Sequence, residues 1–381
     1  MLERTELPIL EKPITDKAEA SFTLSREFYT DPHVYDLEKK KIFYRTWQYV
    51  THQSTLVNVG DYVTVKICDQ NVFVIRSTDG ELRAFYNVCK HRAHELLEGQ
   101  GNVSSVIVCP YHAWTYEMDG NLRGAPKSSG RPGFDKGDYC LTSIKLEMFC
   151  DSVFVNLDPD AESLASIAGD LEADIRQRVP YLSELAVHEG GSFEGGTFGN
   201  PIQKAGWKVV VDNYVECYHC NHAHPAFADI ICMPEYQVDT FKYWSRQLGD
   251  QIRSDNSAYK VSKEDPVQGS AFWFLWPNTT FNVLPGGKEF AILSIKPLSI
   301  DTSEFSGHSL TLPMAEKNAE RTRYVTDVLA AEDISLCESV QRGLQSMGYT
   351  QGPIIADPEG SGTAEHGIHH FHSLVHQALS S

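Results

Sequence analysis

The stretch that most constrains this chain is Cys89-Lys90-His91, followed after seventeen residues by Cys109-Pro110-Tyr111-His112. Each short loop offers one thiolate and one imidazole, so a fold that uses both must bring their tips together. Alternating apolar runs, Tyr62 to Ile67 and Val72 to Ile75, precede the first loop, and Tyr111, Trp114 and Tyr116 surround the second. Asp79-Gly80 and Asp119-Gly120 fall among such runs and read as hairpin turns. The two loops are therefore expected on hairpins of one small all-β domain.

Structural zinc sites usually group their ligands as pairs of one type, whereas a Rieske [2Fe-2S] centre puts two cysteines on one iron and two histidines on the other. One Cys and one His per loop fits the second pattern. Cys89, His91, Cys109 and His112 are thus the candidate cluster ligands, with a structural zinc as the alternative. Neutral imidazoles in place of two thiolates raise the potential of such a cluster, which suits it to take an electron from a ferredoxin-type donor.

A chain of 381 residues has room for two domains, and a net charge of -18 works against nucleic acid or an anionic membrane as partner. No apolar run approaches a membrane span and the first residues show no apolar leader, so a soluble, cytoplasmic protein is expected. Of nine cysteines, two are cluster candidates; the remainder reads as reduced, mostly buried thiols rather than a disulfide framework. The organisation expected is an N-terminal segment over 1–40, with a helix from 32 to 44, an all-β domain over 41–158, and a mixed domain over 159–381. The fold class is α+β. In the last domain helices are expected over 206–219 and 314–347, the latter with a break, and antiparallel strands over 272–283, 290–295 and 308–312.

A second site emerges from the segment around the first of those helices. At about 100° per residue, Asp212, Asn213, Glu216 and His219 form one polar ridge on a mostly apolar helix. His222 and His224 follow closely, and neutral imidazole is a common transition-metal ligand. His219 and His224 cannot share one face of a continuous helix, so both can bind one ion only if the helix ends between them, as Pro225 allows. His222 is then a decoy or a supporting group. Two histidines and one carboxylate make the facial triad of non-haem Fe(II) oxygenases. Of Glu332, Asp333 and Glu338, Asp333 lies amid the apolar stripe of Leu329, Leu336, Val340 and Leu344, where a carboxylate needs a cation or hydrogen bonds to compensate it. A buried ion pair is the other explanation.

Together these motifs resemble the oxygenase component, or alpha subunit, of the Rieske non-haem iron oxygenases over nearly the whole chain. The runs AFYNVCKHRAHELLEGQG, VCPYHAWTYEMDGNL and VDNYVECYHCNHAHPAF are similar to members acting on quaternary ammonium compounds. They are most like the carnitine monooxygenase oxygenase subunits, then the choline and glycine betaine monooxygenases. The resemblance implies a Rieske domain joined to a catalytic domain of helix-grip type. It implies one [2Fe-2S] cluster held by Cys89, His91, Cys109 and His112, and one mononuclear Fe(II) held by His219, His224 and Asp333. It also implies that Glu216, where most members have Asp, links the iron to a cluster histidine of a neighbouring subunit in a homotrimer. A separate flavin and [2Fe-2S] reductase using NAD(P)H is implied as partner, with O₂ as co-substrate. No G-x-G-x-x-G follows a strand here, so the chain itself is not expected to bind a nicotinamide. Lys90 and Ala93 depart from the Pro and Gly common at those positions.

A quaternary ammonium head has no proton to donate and is recognised by aromatic faces. Tyr214, Trp273 and Trp276 are candidate cage residues, with core packing as the alternative. The reaction implied is hydroxylation of a carbon next to the quaternary nitrogen of a small cationic substrate, with cleavage of the C–N bond. For carnitine the products would be trimethylamine and malic semialdehyde; a related betaine is equally compatible. Two rivals stay open: a Rieske oxygenase acting on an aromatic substrate by ring hydroxylation or O-demethylation, and a non-enzymatic carrier holding only the cluster. Histidines 366, 369, 370, 372 and 376 form a further group that a packed C-terminal helix would explain as well as a metal would.

Overall fold

The computed structural model describes residues 6–192, 202–253, 255–315 and 318–381. Residues 1–5, read above for a leader, and positions 316–317 of the helix expected over 314–347 lie outside them. The chain divides into two compact units, Phe43–Ser166 and the combination of the N-terminal segment through Ile42 with Ile167–Ser381.

The unit Phe43–Ser166 is all-β. Its strands are β1 (Gln48–His52), β2 (Asp61–Ile67), β3 (Gln70–Arg76), β4 (Leu82–Tyr86), β5 (Gln100–Asn102), β6 (Ile107–Val108), β7 (Thr115–Tyr116), β8 (Leu122–Gly124), β9 (Ser143–Phe149) and β10 (Ser152–Asn156). They make an antiparallel seven-stranded sheet in the order β1-β10-β9-β4-β3-β2-β5 and a small sheet β6-β7-β8. Both Asp-Gly turns are present, with Gly80 at φ +86° and Gly120 at φ +89°. Gly120 is doubly constrained, because a Cβ there would stand 2.5 Å from the Phe85 ring. Phe73, Phe85, Trp114, Tyr116 and Met118 pack the core between the sheets, directly behind Cys89 and Cys109.

The second unit starts with α1 (Pro32–Glu38), whose first turn is set by Pro32 and by Asp31 accepting the His33 N–H at 2.9 Å. It runs on as a π-helical turn, Lys39–Phe43, so the helix expected over 32–44 is there. After α2 (Leu171–Arg178) come β11 (Ala186–Ser192) and β12 (Ile202–Gln203), then the strands β13 (Gln237–Thr240), β14 (Trp244–Gly249), β15 (Ser270–Leu275), β16 (Thr279–Val283), β17 (Glu289–Ser299) and β18 (Thr302–Thr311). Their antiparallel order is β11-β18-β17-β16-β15-β14-β13, with β12 beside β18. The single strand expected over 272–283 is two strands. Pro277 lacks the N–H that a ladder needs, and the chain turns at Trp276–Pro277. The strand expected over 290–295 falls within β17, and that over 308–312 overlaps the end of β18, which closes at Thr311.

Helix α3 (Trp207–Tyr214) stops five residues short of the expected 206–219. Val215 still donates to Val211, but the Glu216 carboxylate then takes the Tyr218 and His219 backbone N–H groups, which ends the helical ladder. Two short helices follow, α4 (Cys220–Ala223) with His219 before its first turn, and α5 (Pro225–Ile230) with His224 before its first turn. The break between the two histidines is therefore real, and Pro225 opens the new helix. The last long helical stretch begins at Asn318, which caps α6 (Ala319–Arg323), passes through a π-helical segment, Tyr324–Leu329, and continues as α7 (Ala330–Gly343). Helix α8 (His366–Ser380) ends the chain, packing on α3 and β13. One cysteine expectation is overturned: Cys217 and Cys220 are disulfide-bonded, across a C-x-x-C spacing that the sequence reading passed over. Among the described residues no helix is long and apolar enough to cross a membrane.

Candidate metal centres

The two Cys-His loops are built on one pattern. The Cys89 N–H donates to the His94 carbonyl at 2.8 Å and the Ala93 N–H to the Cys89 carbonyl at 3.0 Å. In the second loop the Cys109 N–H donates to the Trp114 carbonyl at 2.8 Å and the Ala113 N–H to the Cys109 carbonyl at 3.0 Å. Each loop turns on a left-handed alanine, Ala93 at φ +58° and Ala113 at φ +56°, a conformation glycine would adopt more cheaply. Both thiols are buried, and the His91 and His112 rings lie 4.6 Å apart between centroids. His91 stacks on Trp114 at 4.8 Å, and Tyr116 Oη lies 3.3 Å from Cys89 Sγ while accepting the Lys90 N–H at 3.0 Å. Burial pushes the Cys109 thiol above its ordinary range, because a thiolate there lacks a compensating cation. Desolvation and the neighbours His91, Arg92 and His94 hold the His112 imidazole below its own range. His112 Nδ1 is buried with no hydrogen-bond partner among the described residues. Two buried thiols, two adjacent imidazoles and an orphaned ring nitrogen form a donor set that fits a [2Fe-2S] group. Lys90, beside the site, reaches Thr142 Oγ1.

In the second unit His219, His224 and Asp333 converge, one ligand atom from each lying within 4.8 Å of the others. His219 Nε2 and His224 Nε2 are 3.1 Å apart, and His224 Nε2 is 2.9 Å from Asp333 Oδ1. The opposite nitrogens are already engaged: His219 Nδ1 with Glu216 Oε1, and His224 Nδ1 with Glu332 Oε2 at 2.7 Å. A carboxylate can only accept, so both Nδ1 atoms carry the protons and both Nε2 atoms present lone pairs. Two such nitrogens at that distance beside a carboxylate call for a shared cation among them, either a proton on His224 or a metal ion. This donor set fits a mononuclear metal, each imidazole oriented from behind by a carboxylate. Burial lowers the basicity of His224, yet Asp333 and Glu332 together raise it above the ordinary imidazole range.

Sequence reasoning weighed Glu332 only as an alternative metal ligand and missed the place it takes, holding His224 from behind. The apolar stripe used to choose Asp333 is also only half buried, since Leu336 and Val340 are exposed while Cys337, Gln341 and Leu344 are covered. Glu338 accepts the Lys204 N–H at 3.2 Å, and His222 is exposed. Of the C-terminal histidines, His372 Nδ1 accepts the Leu24 N–H and its Nε2 meets Asp212 at 2.8 Å, while His369 Nε2 meets the Thr15 carbonyl at 2.7 Å. These two serve packing, and among the described residues the C-terminal histidines form no group of three that could hold a metal.

The metal triad opens on a cavity of about 270 Å³. Its aromatic wall includes Tyr214, Phe227, Tyr236, Phe272, Phe290 and Phe305. Tyr214 is fixed by its hydroxyl, which donates to Asn282 Oδ1 at 2.9 Å. Trp273 and Trp276 do not line this cavity, contrary to expectation. Trp273 alternates to the opposite face of β15, where its N–H donates to Asp174 at 2.6 Å, and Trp276 packs on Trp207 and Phe371. On this strand Phe272, not its neighbour Trp273, lines the cavity. Among the described lining residues Arg321 is the only Lys or Arg, and it is ion-paired with Glu289.

Residues 46–142 match the Rieske [2Fe-2S] domain, and residues 183–381 match the ring hydroxylating alpha subunit (catalytic domain). The carnitine monooxygenase oxygenase subunit of Escherichia coli (strain K12) is 37% identical over 362 residues, 94% of each chain. The chloroplastic choline monooxygenase of Amaranthus tricolor is 29% identical over 377 residues, 95% of this chain and 79% of that protein. A solved structure of the quaternary ammonium Rieske monooxygenase CntA in complex with substrate L-carnitine matches with a TM-score of 0.85 at 34% identity, over 97% of this chain and 99% of that one.

Proposed function

Because the chain belongs to the Rieske non-haem iron oxygenases as an alpha subunit, with a Rieske [2Fe-2S] cluster and a mononuclear iron as its cofactors, we propose that it is a monooxygenase of a quaternary ammonium compound. It hydroxylates a carbon next to the quaternary nitrogen, and the C–N bond then breaks. Carnitine, giving trimethylamine and malic semialdehyde, or a related betaine is the substrate. The observation that carries this reading is the aromatic cavity that opens on His219, His224 and Asp333 and is bordered by Tyr214. A methylated ammonium has no N–H hydrogen bonds to give up on leaving water for such a wall and gains cation-π attraction there. The 37% identity to a carnitine monooxygenase oxygenase subunit supports the same class.

In this reading Cys89, His91, Cys109 and His112 hold the cluster, and His219, His224 and Asp333 hold the iron. When bound, the iron supplies the site where O₂ is activated with electrons delivered through the cluster. The protein does the rest. Glu332 and Glu216 fix the tautomers of the two iron histidines, and Tyr214 holds its ring at the cavity wall through Asn282. Arg321 is placed to receive a substrate carboxylate if Glu289 shares it. We further read residues 41–158 as the electron-accepting domain and 159–381, with 1–40 packed on it, as the catalytic domain. The working protein is a cytoplasmic homotrimer in which Glu216 meets a cluster histidine of the neighbouring subunit. A separate flavin and [2Fe-2S] reductase feeds it from NAD(P)H.

The phenylalanines of the wall would also hold an aromatic ring, so a second reading is an aromatic-substrate oxygenase. Product analysis separates them. Holoenzyme with an NAD(P)H-driven reductase is offered L-carnitine, glycine betaine, choline and a panel of aromatic acids. Amine or aldehyde release from a quaternary substrate is expected; a hydroxylated or demethylated aromatic product in its place overturns the proposal.

A further inference from the structure

Cys217 and Cys220 are bonded to each other, with Cα atoms 4.9 Å apart, and both sulfur-bearing side chains belong to the wall of the cavity that His219, His224 and Asp333 share. Cys217 directly follows Glu216 and the two cysteines bracket His219, so the bond closes a loop around the first of the iron histidines. The two residues are 2% and 5% exposed, so their route to a small oxidant runs through the cavity and not across the outer surface. A third cysteine of the wall, Cys337, is not disulfide-bonded, and burial pushes its thiol far above the ordinary range. Cys140 and Cys232 lie nearer the surface and are not disulfide-bonded.

We propose that Cys217 and Cys220 form a reversible dithiol/disulfide site that reacts with hydrogen peroxide inside the active cavity, and that the disulfide state keeps the metal triad assembled. The site answers a hazard of oxygen chemistry: O₂ reduced by two electrons and two protons without reaching a substrate leaves as H₂O₂. One thiolate attacks the peroxide oxygen to give a sulfenic acid and water; the second thiolate attacks that sulfur, forming the S–S bond and releasing a second water. Two thiols and one peroxide thus yield one disulfide and two waters, and two electrons from an added dithiol restore the pair. A cavity peroxide meets these two sulfurs on the same wall as His219 and His224. The closed loop does not dismantle the site, because the three ligand atoms lie within 4.8 Å of one another with the disulfide formed.

This inference rests on reading the cavity as the place where O₂ is reduced, and two arms keep the two ideas apart. In the first, dithiothreitol-reduced holoenzyme receives stoichiometric hydrogen peroxide, and each cysteine is scored by differential alkylation and mass spectrometry. In the second, chemically reduced holoenzyme meets O₂ without substrate, with catalase in the surrounding solution. Loss of alkylation at Cys217 and Cys220 together, ahead of Cys140 and Cys232 and unaffected by external catalase in the second arm, is the expected result. Iron content should stay unchanged through oxidation and through re-reduction. Holoenzyme with Cys220→Ser should show no paired loss at Cys217, and a sulfenic acid trapped by dimedone at Cys217 instead. The proposal is overturned if Cys140 or Cys232 is oxidised first in the second arm, if dithiothreitol cannot open the bond in folded protein, or if iron leaves as the bond forms. Selective oxidation in the first arm with none in the second would leave the thiol pair reactive but overturn the cavity as the source of its oxidant. Absence of product from every substrate, by contrast, would count against the oxygenase reading and not against the first arm.

Discussion

His224 and Glu332 are joined at 2.7 Å, Nδ1 to Oε2, while the next residue along the helix, Asp333, faces the other nitrogen of the same ring at 2.9 Å. Two adjacent acidic residues thus play different parts. One is placed to share the metal; the other sets the tautomer that lets His224 share it. Glu332→Gln presents either an amide oxygen, a weaker acceptor, or an amide nitrogen, which cannot accept at all. Such supporting groups typically contribute about 10- to 100-fold in metal affinity. Iron per chain after dialysis against a chelator should fall accordingly, with the Rieske resonance of the cluster as an unaffected internal standard.

Glu216 combines three roles in one carboxylate: it accepts from the Tyr218 N–H, from the His219 N–H at 3.3 Å and from His219 Nδ1. Shortening it by one methylene cannot satisfy all of them from the same backbone. Glu216→Asp is expected to slow reoxidation of the chemically reduced cluster under O₂ and substrate while cluster and iron contents stay at wild-type levels. Stopped-flow absorbance of the cluster reads this directly, and a wild-type rate would remove Glu216 from the electron path.

Tyr214 offers a test of cation recognition. Its hydroxyl is committed to Asn282, so Tyr214→Phe keeps the ring and loses an anchor, whereas Tyr214→Leu loses the ring. A cation-π contact of about 0.5–2 kcal/mol corresponds to roughly 2- to 30-fold in affinity. Titration with a quaternary ammonium ligand should show the larger weakening for Leu, and a neutral isostere of the ligand should show no such difference.

Beneath helix α3, Lys208 and Glu38 form an ion pair among the most buried in the second unit, and the Trp207 N–H also donates to Glu38 at 2.9 Å. Burial pushes the Glu38 carboxyl up, against the pull of Lys208 and Trp207. Glu38→Ala leaves Lys208 charged and unpaired in the interior, at a cost of about 3–5 kcal/mol. The double variant Glu38→Met with Lys208→Met should recover most of that stability. Urea unfolding followed by tryptophan fluorescence distinguishes the two outcomes.

Acid should loosen the all-β unit through His52. Burial lowers its pKa to about 4, with Asp151 opposing weakly. Its Nδ1 accepts the Ser54 N–H at 3.3 Å, and its Nε2 is buried with no partner among the described residues. A proton would set donor against donor. Because the folded pKa lies below the unfolded value of about 6.5, the unfolded chain takes up the proton first as pH falls. The stability contributed by neutral His52 is complete above about pH 6.5 and is lost between there and about pH 4, on the order of 3 kcal/mol in all. His52→Asn should flatten the fall of the urea midpoint over that window.

What could be read without coordinates followed the local chemistry. The Cys-His spacing and the Asp-Gly turns announce their geometry through residues a few positions apart, and the two loops and hairpins stand where they were expected. The helix through Glu216 was misread because nothing local stops it: no Gly or Pro stands between Trp207 and His224. Its end comes with the Glu216 carboxylate turning back on its own backbone, at a point where distant Gly367 packs so closely that a Cβ there would approach the Val215 carbonyl oxygen to 1.8 Å. The face of β15 was likewise undecidable, since Phe272, Trp273 and Phe274 put aromatic rings on both sides of the strand. Asp333 does converge with the two histidines, though the stripe used to choose it has Leu336 and Val340 outside the core.

The π-helical segment Tyr324–Leu329 sits between Arg321 and Asp333, and both of these face the cavity. An ordinary α-helix advances about 100° per residue, so an unbroken one from 321 to 333 would leave the two side chains about 120° apart. A wide turn that takes up about one residue returns them to one face. Straightening that turn at constant length would therefore part the ion-paired arginine from the acid beside the two imidazoles, and would displace Val325, Thr326 and Leu329 from the wall between them.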